Sequence, residues 1–132
     1  MSKSTEEEYL RAFYYLKQKR GVARISDLAS YLGVSKAGVS EMLSSLSERG
    51  LVRAKRYVRP NLTPRGLQVA RKMTFKHRVL EVFLAKKLAI PPKRVHEEAS
   101  RMEHAVSDAT LKRLYEFLGR PKYDPHGSPI SR

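Results

Sequence analysis

Over 132 residues the chain carries 27 Lys and Arg against 13 Asp and Glu, a formal net charge of +14. Such an excess on a small folded chain points to a polyanionic partner, nucleic acid or an acidic membrane surface, and the length suits one domain or two small lobes sharing a core. The lack of cysteine excludes disulfides, thiolate metal sites and thiol catalysis, and it fits a reducing compartment.

The first residues, MSKSTEEEYL, are polar and acidic, with no signal-peptide run. No later stretch approaches the roughly 20 apolar residues that span a bilayer, so a cytoplasmic location is expected. Residues 5–20 read as a helix with Leu10, Phe13 and Leu16 on one stripe, Tyr9 and Tyr14 beside it, and Gly21 as the stop. In ISDLASYLGVSKAGVSEMLSSLSERGLV, Ser26 can cap a short helix that turns Leu28, Ala29 and Leu32 inward. Gly33 supplies a turn, and Ser35 caps a second helix with Val39, Met42, Leu43 and Leu46 buried and Gly50 at its end. Two short helices around a tight glycine turn outline a helix-turn-helix.

The segment LVRAKRYVRPNLT reads as two short strands forming a wing that carries Arg53, Lys55, Arg56 and Arg59. Thr63-Pro64 is a helix start, and one long helix runs from there to about Leu88, with Leu67, Ala70, Met73, Leu80, Phe83 and Leu84 among its apolar positions. Ala89-Ile90-Pro91-Pro92 breaks it. A further helix is expected over about 92–106, striped by Val95, Ala99, Met102 and Val106, and Ser107 can cap a last helix over 108–118, ended by Gly119. The remainder, RPKYDPHGSPISR, has the composition of a turn or a tail. The expected architecture is mainly α: a winged helix-turn-helix over 1–66, an all-helical domain over 67–119 and a C-terminal tail over 120–132.

For nucleic acid, the exposed early part of the recognition helix comprises Ser35, Lys36, Ala37, Gly38, Ser40 and Glu41. Small residues permit close approach, and the two serines can donate to phosphate. Few of these side chains can grip a base edge with two hydrogen bonds, so backbone contacts and DNA shape should carry much of the selectivity. The wing arginines should add salt-sensitive affinity. A membrane surface fits less well, since no stretch joins a basic face to a bulky apolar one.

The stretch HEEASRMEH, residues 96–104, places His96, Ser100, Glu103 and His104 at i, i+4, i+7 and i+8, all on one flank of a helix and beside its apolar stripe. On the preceding helix His77 and Glu81 stand at i and i+4, and antiparallel packing of the two helices would bring the polar faces together. One reading is a pair of solvated faces. The other is a site for a divalent first-row metal, which with no thiolate present leans toward manganese or ferrous iron. There is no HExxH motif and no nucleophile with a histidine partner at a recognisable spacing, so an enzyme is not expected and no small-molecule substrate is implied.

The residues KHRVLEVFL, VHEEASRMEHAVSD and PHGSPI, following a winged helix in that order, resemble the diphtheria toxin repressor family of metal-dependent transcriptional regulators, which includes a manganese-transport-regulator branch. The resemblance covers almost the whole chain, and HEEA-x-x-x-EH with the upstream KHR-x-x-E is its most specific part. It implies a homodimer that binds a double-stranded DNA operator through the winged helix, dimerises through the segments after the wing, and uses Fe²⁺ or Mn²⁺ as corepressor. By the same resemblance a primary metal site falls on Glu8, Ser100, Glu103 and His104, and an ancillary site on His77, Glu81 and His96.

Glu8 sides with the manganese branch, which is acidic there where the iron branch has methionine. Ser100 departs from both, since the iron branch has cysteine and the manganese branch glutamate, and it is left with its backbone carbonyl or a water to offer. Arg11 stands where the manganese branch has a second acidic ligand, so that branch's binuclear arrangement is not implied. Many iron-branch members continue into an SH3-like domain that lends ligands to the ancillary site. With the sequence ending at Arg132, that site is expected to be completed by solvent or an anion. A metal tying Glu8 to Glu103 and His104 would select the spacing of two recognition helices that fits successive major grooves, about 34 Å apart. The rival reading is a metal-independent winged-helix regulator with a vestigial metal site.

Overall fold

The computed structural model describes residues 2–55 and 59–131, which form two compact units, Met1–Arg71 and Lys72–Arg132. Among the described residues six helices and two short strands follow one another as α1 (Lys3–Arg20), α2 (Ile25–Leu32), α3 (Lys36–Glu48), β1 (Val52–Arg53), β2 (Asn61–Leu62), α4 (Pro64–Lys86), α5 (Pro92–Met102) and α6 (Asp108–Phe117). The order is that of a winged helix-turn-helix followed by a helical half.

In the N-terminal unit the expected stripes are buried. Leu10, Phe13 and Leu16 of α1 meet Leu28 and Ala29 of α2 and Val39, Leu43 and Leu46 of α3, whereas Leu32 and Met42 are half-buried at the margin. Gly33 takes a left-handed φ of 69°, which lets the chain leave α2 and re-enter α3 within a few residues. Ser35 caps α3, accepting the Gly38 N–H at 3.0 Å. The cap expected at Ser26 is not used. Helix α2 begins two residues earlier than that cap implies, at Ile25, because the Asp27 carboxylate accepts the Arg24 N–H at 3.1 Å and closes the N-terminus from inside the first turn.

The wing strands pair antiparallel, Val52 opposite Leu62 and Arg53 opposite Asn61. Thr63 fastens the start of α4. Its hydroxyl donates to the Gly50 carbonyl at 2.7 Å, and the same oxygen accepts the Gly66 N–H at 3.1 Å. Gly66 makes the fit possible, since a β-carbon there would lie 1.9 Å from the Leu51 carbonyl oxygen.

The second unit has its own core. Val79, Leu80, Val82 and Leu84 of α4 pack with Ala99 of α5, Leu111 of α6 and Ile130 of the C-terminal segment, while Phe75 and Tyr115 meet edge to face with ring centres 5.1 Å apart. Beyond Lys86 the chain turns through Ala89, which has a positive φ of 52°, and α5 starts at Pro92. Helix α5 stops at Met102, short of the expected 106, and Ser107 caps α6 by accepting the Thr110 N–H at 3.1 Å. The C-terminal segment folds back on itself, with a Tyr123–Pro129 bridge and Asp124 Oδ1 accepting the N–H groups of His126 and Ser128 at 2.9 and 2.7 Å.

Because the Leu51 carbonyl cannot retreat without opening β1, Gly66→Ala is expected to destabilise the N-terminal unit by about 1–3 kcal/mol, the usual range for overpacking. Chemical denaturation of wild type and variant measures this.

Candidate functional site

Helix α4 carries three ionisable side chains that are almost wholly buried in the second unit: Lys76, His77 and Glu81. A buried carboxylate must be paired or ligated, and Glu81 Oε2 is surrounded by imidazoles. His77 Nε2 lies 3.5 Å away, His96 Nδ1 of α5 3.8 Å and His126 Nδ1 of the C-terminal segment 3.6 Å. His77 Nε2 and His96 Nδ1 are 3.0 Å apart. A cation bound at about 2.0–2.2 Å to each ligand sets neighbouring ligand atoms roughly 3–3.6 Å apart. Two of the three separations among the His77, Glu81 and His96 atoms fall in that range, and the third, 3.8 Å from Glu81 to His96, lies just beyond it.

Burial by itself would raise the Glu81 carboxyl, but its hydrogen bonds with His77 and His96 outweigh burial and hold it well below the usual carboxylate range. Asp124 goes the other way. Burial pushes its carboxyl up, the neighbouring Glu81 adds to this, and the N–H groups of Ser128 and His126 oppose it. Glu81, Asp124 and His126 form a second group of potential ligands, with atoms within 4.8 Å of one another, so Glu81 belongs to both sets.

His77 joins this cluster to the other expected site. Its Nδ1 lies 2.5 Å from Glu103 Oε1, while Glu103 Oε2 is 3.8 Å from His104 Nε2. If Nε2 gave up its proton to bind a metal, Nδ1–H would still donate to Glu103 and the Nε2 lone pair would face the space between Glu81 and His96. A carboxylate commonly orients a metal-binding imidazole in this way. Glu103 has no exposed surface, which corrects the reading that it stands beside the core. It is the residue that ends α5, and its backbone keeps helical angles for one further step, which swings the carboxylate inward to His77. His104 follows in the turn. The shared helical flank of HEEASRMEH thus holds for His96 and Ser100, whereas Glu103 and His104 lie past the helix end.

Ser100 is half-buried on α5, and Glu8 is exposed on α1 in the N-terminal unit. Of the residues expected to read DNA, Ser35, Lys36, Ala37, Ser40 and Glu41 are exposed at the start of α3, and Gly38 is half-buried under the Ser35 cap. Arg53, Lys55 and Arg59 are exposed, and Arg56 lies outside the described residues. Sequence reasoning missed Asp124 and His126 as potential ligands. The available signal was the D-x-H-G of the C-terminal segment, where an aspartate-led turn presents an imidazole two residues on.

Residues 1–58 match the family model described as the N-terminal DNA-binding domain of iron-dependent repressors, and residues 63–132 match its metal-binding and dimerisation domain. An uncharacterised helix-turn-helix-type transcriptional regulator of Methanocaldococcus jannaschii is 32% identical over 122 residues, covering 92% of this chain and 98% of that protein. The iron-dependent repressor IdeR of Mycobacterium tuberculosis is 33% identical over 126 residues, 96% of this chain but 55% of its own length. The solved structure of the manganese regulator SloR superposes with a TM-score of 0.86 at 36% identity, over 96% of this chain and 59% of that one. The chain thus spans little more than half the length of IdeR and SloR.

His77→Ala and Glu81→Ala are each expected to weaken Mn²⁺ binding at least about tenfold, read by titration calorimetry. Affinity should also fall between roughly pH 7 and 5, because a metal-bound imidazole must shed its proton. Glu81, held low, stays ionised across that window and adds nothing to the fall.

Proposed function

Since the chain belongs to the iron-dependent repressor family, we propose that it is a metal-dependent DNA-binding repressor, acting as a homodimer with Mn²⁺ or Fe²⁺ as corepressor on genes of metal uptake or homeostasis. The observation that carries this reading is the set of ligand atoms of His77, Glu81 and His96, gathered within 4.8 Å of one another in a chain that carries a winged helix-turn-helix. Imidazole and carboxylate donors without thiolate suit Mn²⁺ and Fe²⁺.

Each part of the chain has a distinct role in the proposal. The exposed start of α3 enters the major groove, where Ser35, Ala37 and Ser40 allow close approach and the Lys36 side chain reaches phosphate. Arg53, Lys55 and Arg59 supply salt-sensitive attraction along the wing. In the second unit His77, Glu81 and His96, with buried Asp124 beside Glu81 and exposed His126 at the mouth, hold one metal, while Glu103 and His104 are ligands of a second. A bound metal neutralises buried carboxylates and narrows the conformations open to the second unit, which favours the arrangement competent for the operator. Among the described residues no helix is long and apolar enough to cross a membrane. A chain that reads DNA works in the cytoplasm, and no residue is assigned a catalytic role.

The test is DNA binding to upstream regions of the source genome, first with chelator and then with Mn²⁺ or Fe²⁺. Metal is expected to tighten binding about tenfold or more, and the Glu103→Ala, His104→Ala double variant to lose that response. Tight binding that ignores both chelation and the double variant rejects the proposal in favour of a metal-independent regulator.

A further inference from the structure

Two consecutive residues of α4 grip the same turn. The turn runs over 103–107, between α5 and α6, and His77 holds its first residue through Glu103. Lys76 holds the far end, where its Nζ donates to the Val106 carbonyl at 2.6 Å and lies 3.0 Å from Asp108 Oδ1. One helical turn earlier on α4, Lys72 Nζ is 2.9 Å from the other Asp108 oxygen. Ser107, between the two Lys76 contacts, is committed to capping α6.

Lys76 is not a solvated surface lysine, because its side chain is only 10% exposed. An ammonium group withdrawn from water is costly unless its protons are accepted, and here the acceptors are a backbone carbonyl and a carboxylate that both belong to the α5–α6 junction. The turn is therefore fixed at residues 103, 106, 107 and 108, and the ligand-bearing side chain between those anchors is that of His104.

We propose that Lys76 is a positioning residue for His104: through Val106 and Asp108 it fixes the turn so that the imidazole stands beside Glu103 before a metal arrives. This rests on the reading that Glu103 and His104 hold a metal. A ligand already in place loses less conformational freedom on binding, so the clamp raises affinity at that site without touching the ion. The cluster around Glu81 draws its ligands from α4, α5 and the C-terminal segment, none of which Lys76 contacts through these bonds.

The experiment uses the full chain with Lys76→Met, which keeps the stem and removes the ammonium, and Asp108→Asn, which changes only the exposed partner and so is expected to fold. Mn²⁺ titration separates the binding step lost in His104→Ala from the step lost in His96→Ala. Lys76→Met should weaken the first about tenfold and leave the second within about twofold, with Asp108→Asn moving the first in the same direction by less. Without metal, the His104 ring signals in NMR spectra should broaden or split in Lys76→Met while those of His96 and His126 stay in place. Equal loss at both steps, or unchanged affinity with unchanged His104 signals, overturns the proposal. If the wild type has no step that depends on His104, the ligand assignment under the proposed function fails, and the ring signals alone decide the positioning role.

Discussion

A carboxylate without access to water must find a positive or proton-bearing partner inside the fold, and the second unit is arranged around that requirement. Glu103 has no exposed surface and Glu81 almost none. Both find their partners on or against one face of α4, where His77 bonds Glu103 on one side and faces Glu81 on the other. Helix α5 brings His96, its end brings Glu103, the following turn brings His104, and the C-terminal segment brings His126 and Asp124. The apolar core of Val79, Leu80, Ala99, Leu111 and Ile130 supplies the burial energy, but hydrophobic attraction has no direction of its own and is more tolerant of small rotations of α5. The polar contacts are less so, because each one fixes a direction as well as a distance.

The family's two parts meet near the start of α4, since the matches cover residues 1–58 and 63–132. The compact units divide later, after Arg71. The first turns of α4 account for the difference. Gly66 packs directly under Leu51, and Ala70 belongs to the core of the N-terminal unit. In physical terms, the opening of α4 completes the DNA-reading half even though its sequence signature belongs with the metal-binding half.

Most of the architecture was legible because it rests on local signals. The apolar stripes of α1 and α3, the turn at Gly33 and the serine caps at 35 and 107 each act within four residues, and each is where its local chemistry puts it. Ser26 failed as a cap because Asp27 offered the Arg24 N–H a charged acceptor, a competition that the order of residue types does not settle. Helical spacing and a short connection brought the polar face of His77 and Glu81 toward that of α5, while the choice of His96 as their partner came from the family resemblance. What spacing could not supply was the inward swing of Glu103 or the return of the C-terminal segment. Both are set by partners far along the chain, and the D-x-H-G turn has no periodicity to mark it.

The cluster is graded from inside to outside. Glu81 and His77 have side chains only 3% and 7% exposed, whereas those of His96 and His126 are 54% and 53% exposed. A metal held by such a set does not have to leave in one step. Water would be able to replace the outer imidazoles one at a time, while Glu81 and His77 would hold the ion from inside. Exchange along that route would be faster than escape from a fully enclosed cage of equal affinity. In the proposed site the exposure of two histidines would therefore set how quickly the occupied state follows a fall in the surrounding metal, a property of response time that equilibrium binding does not report.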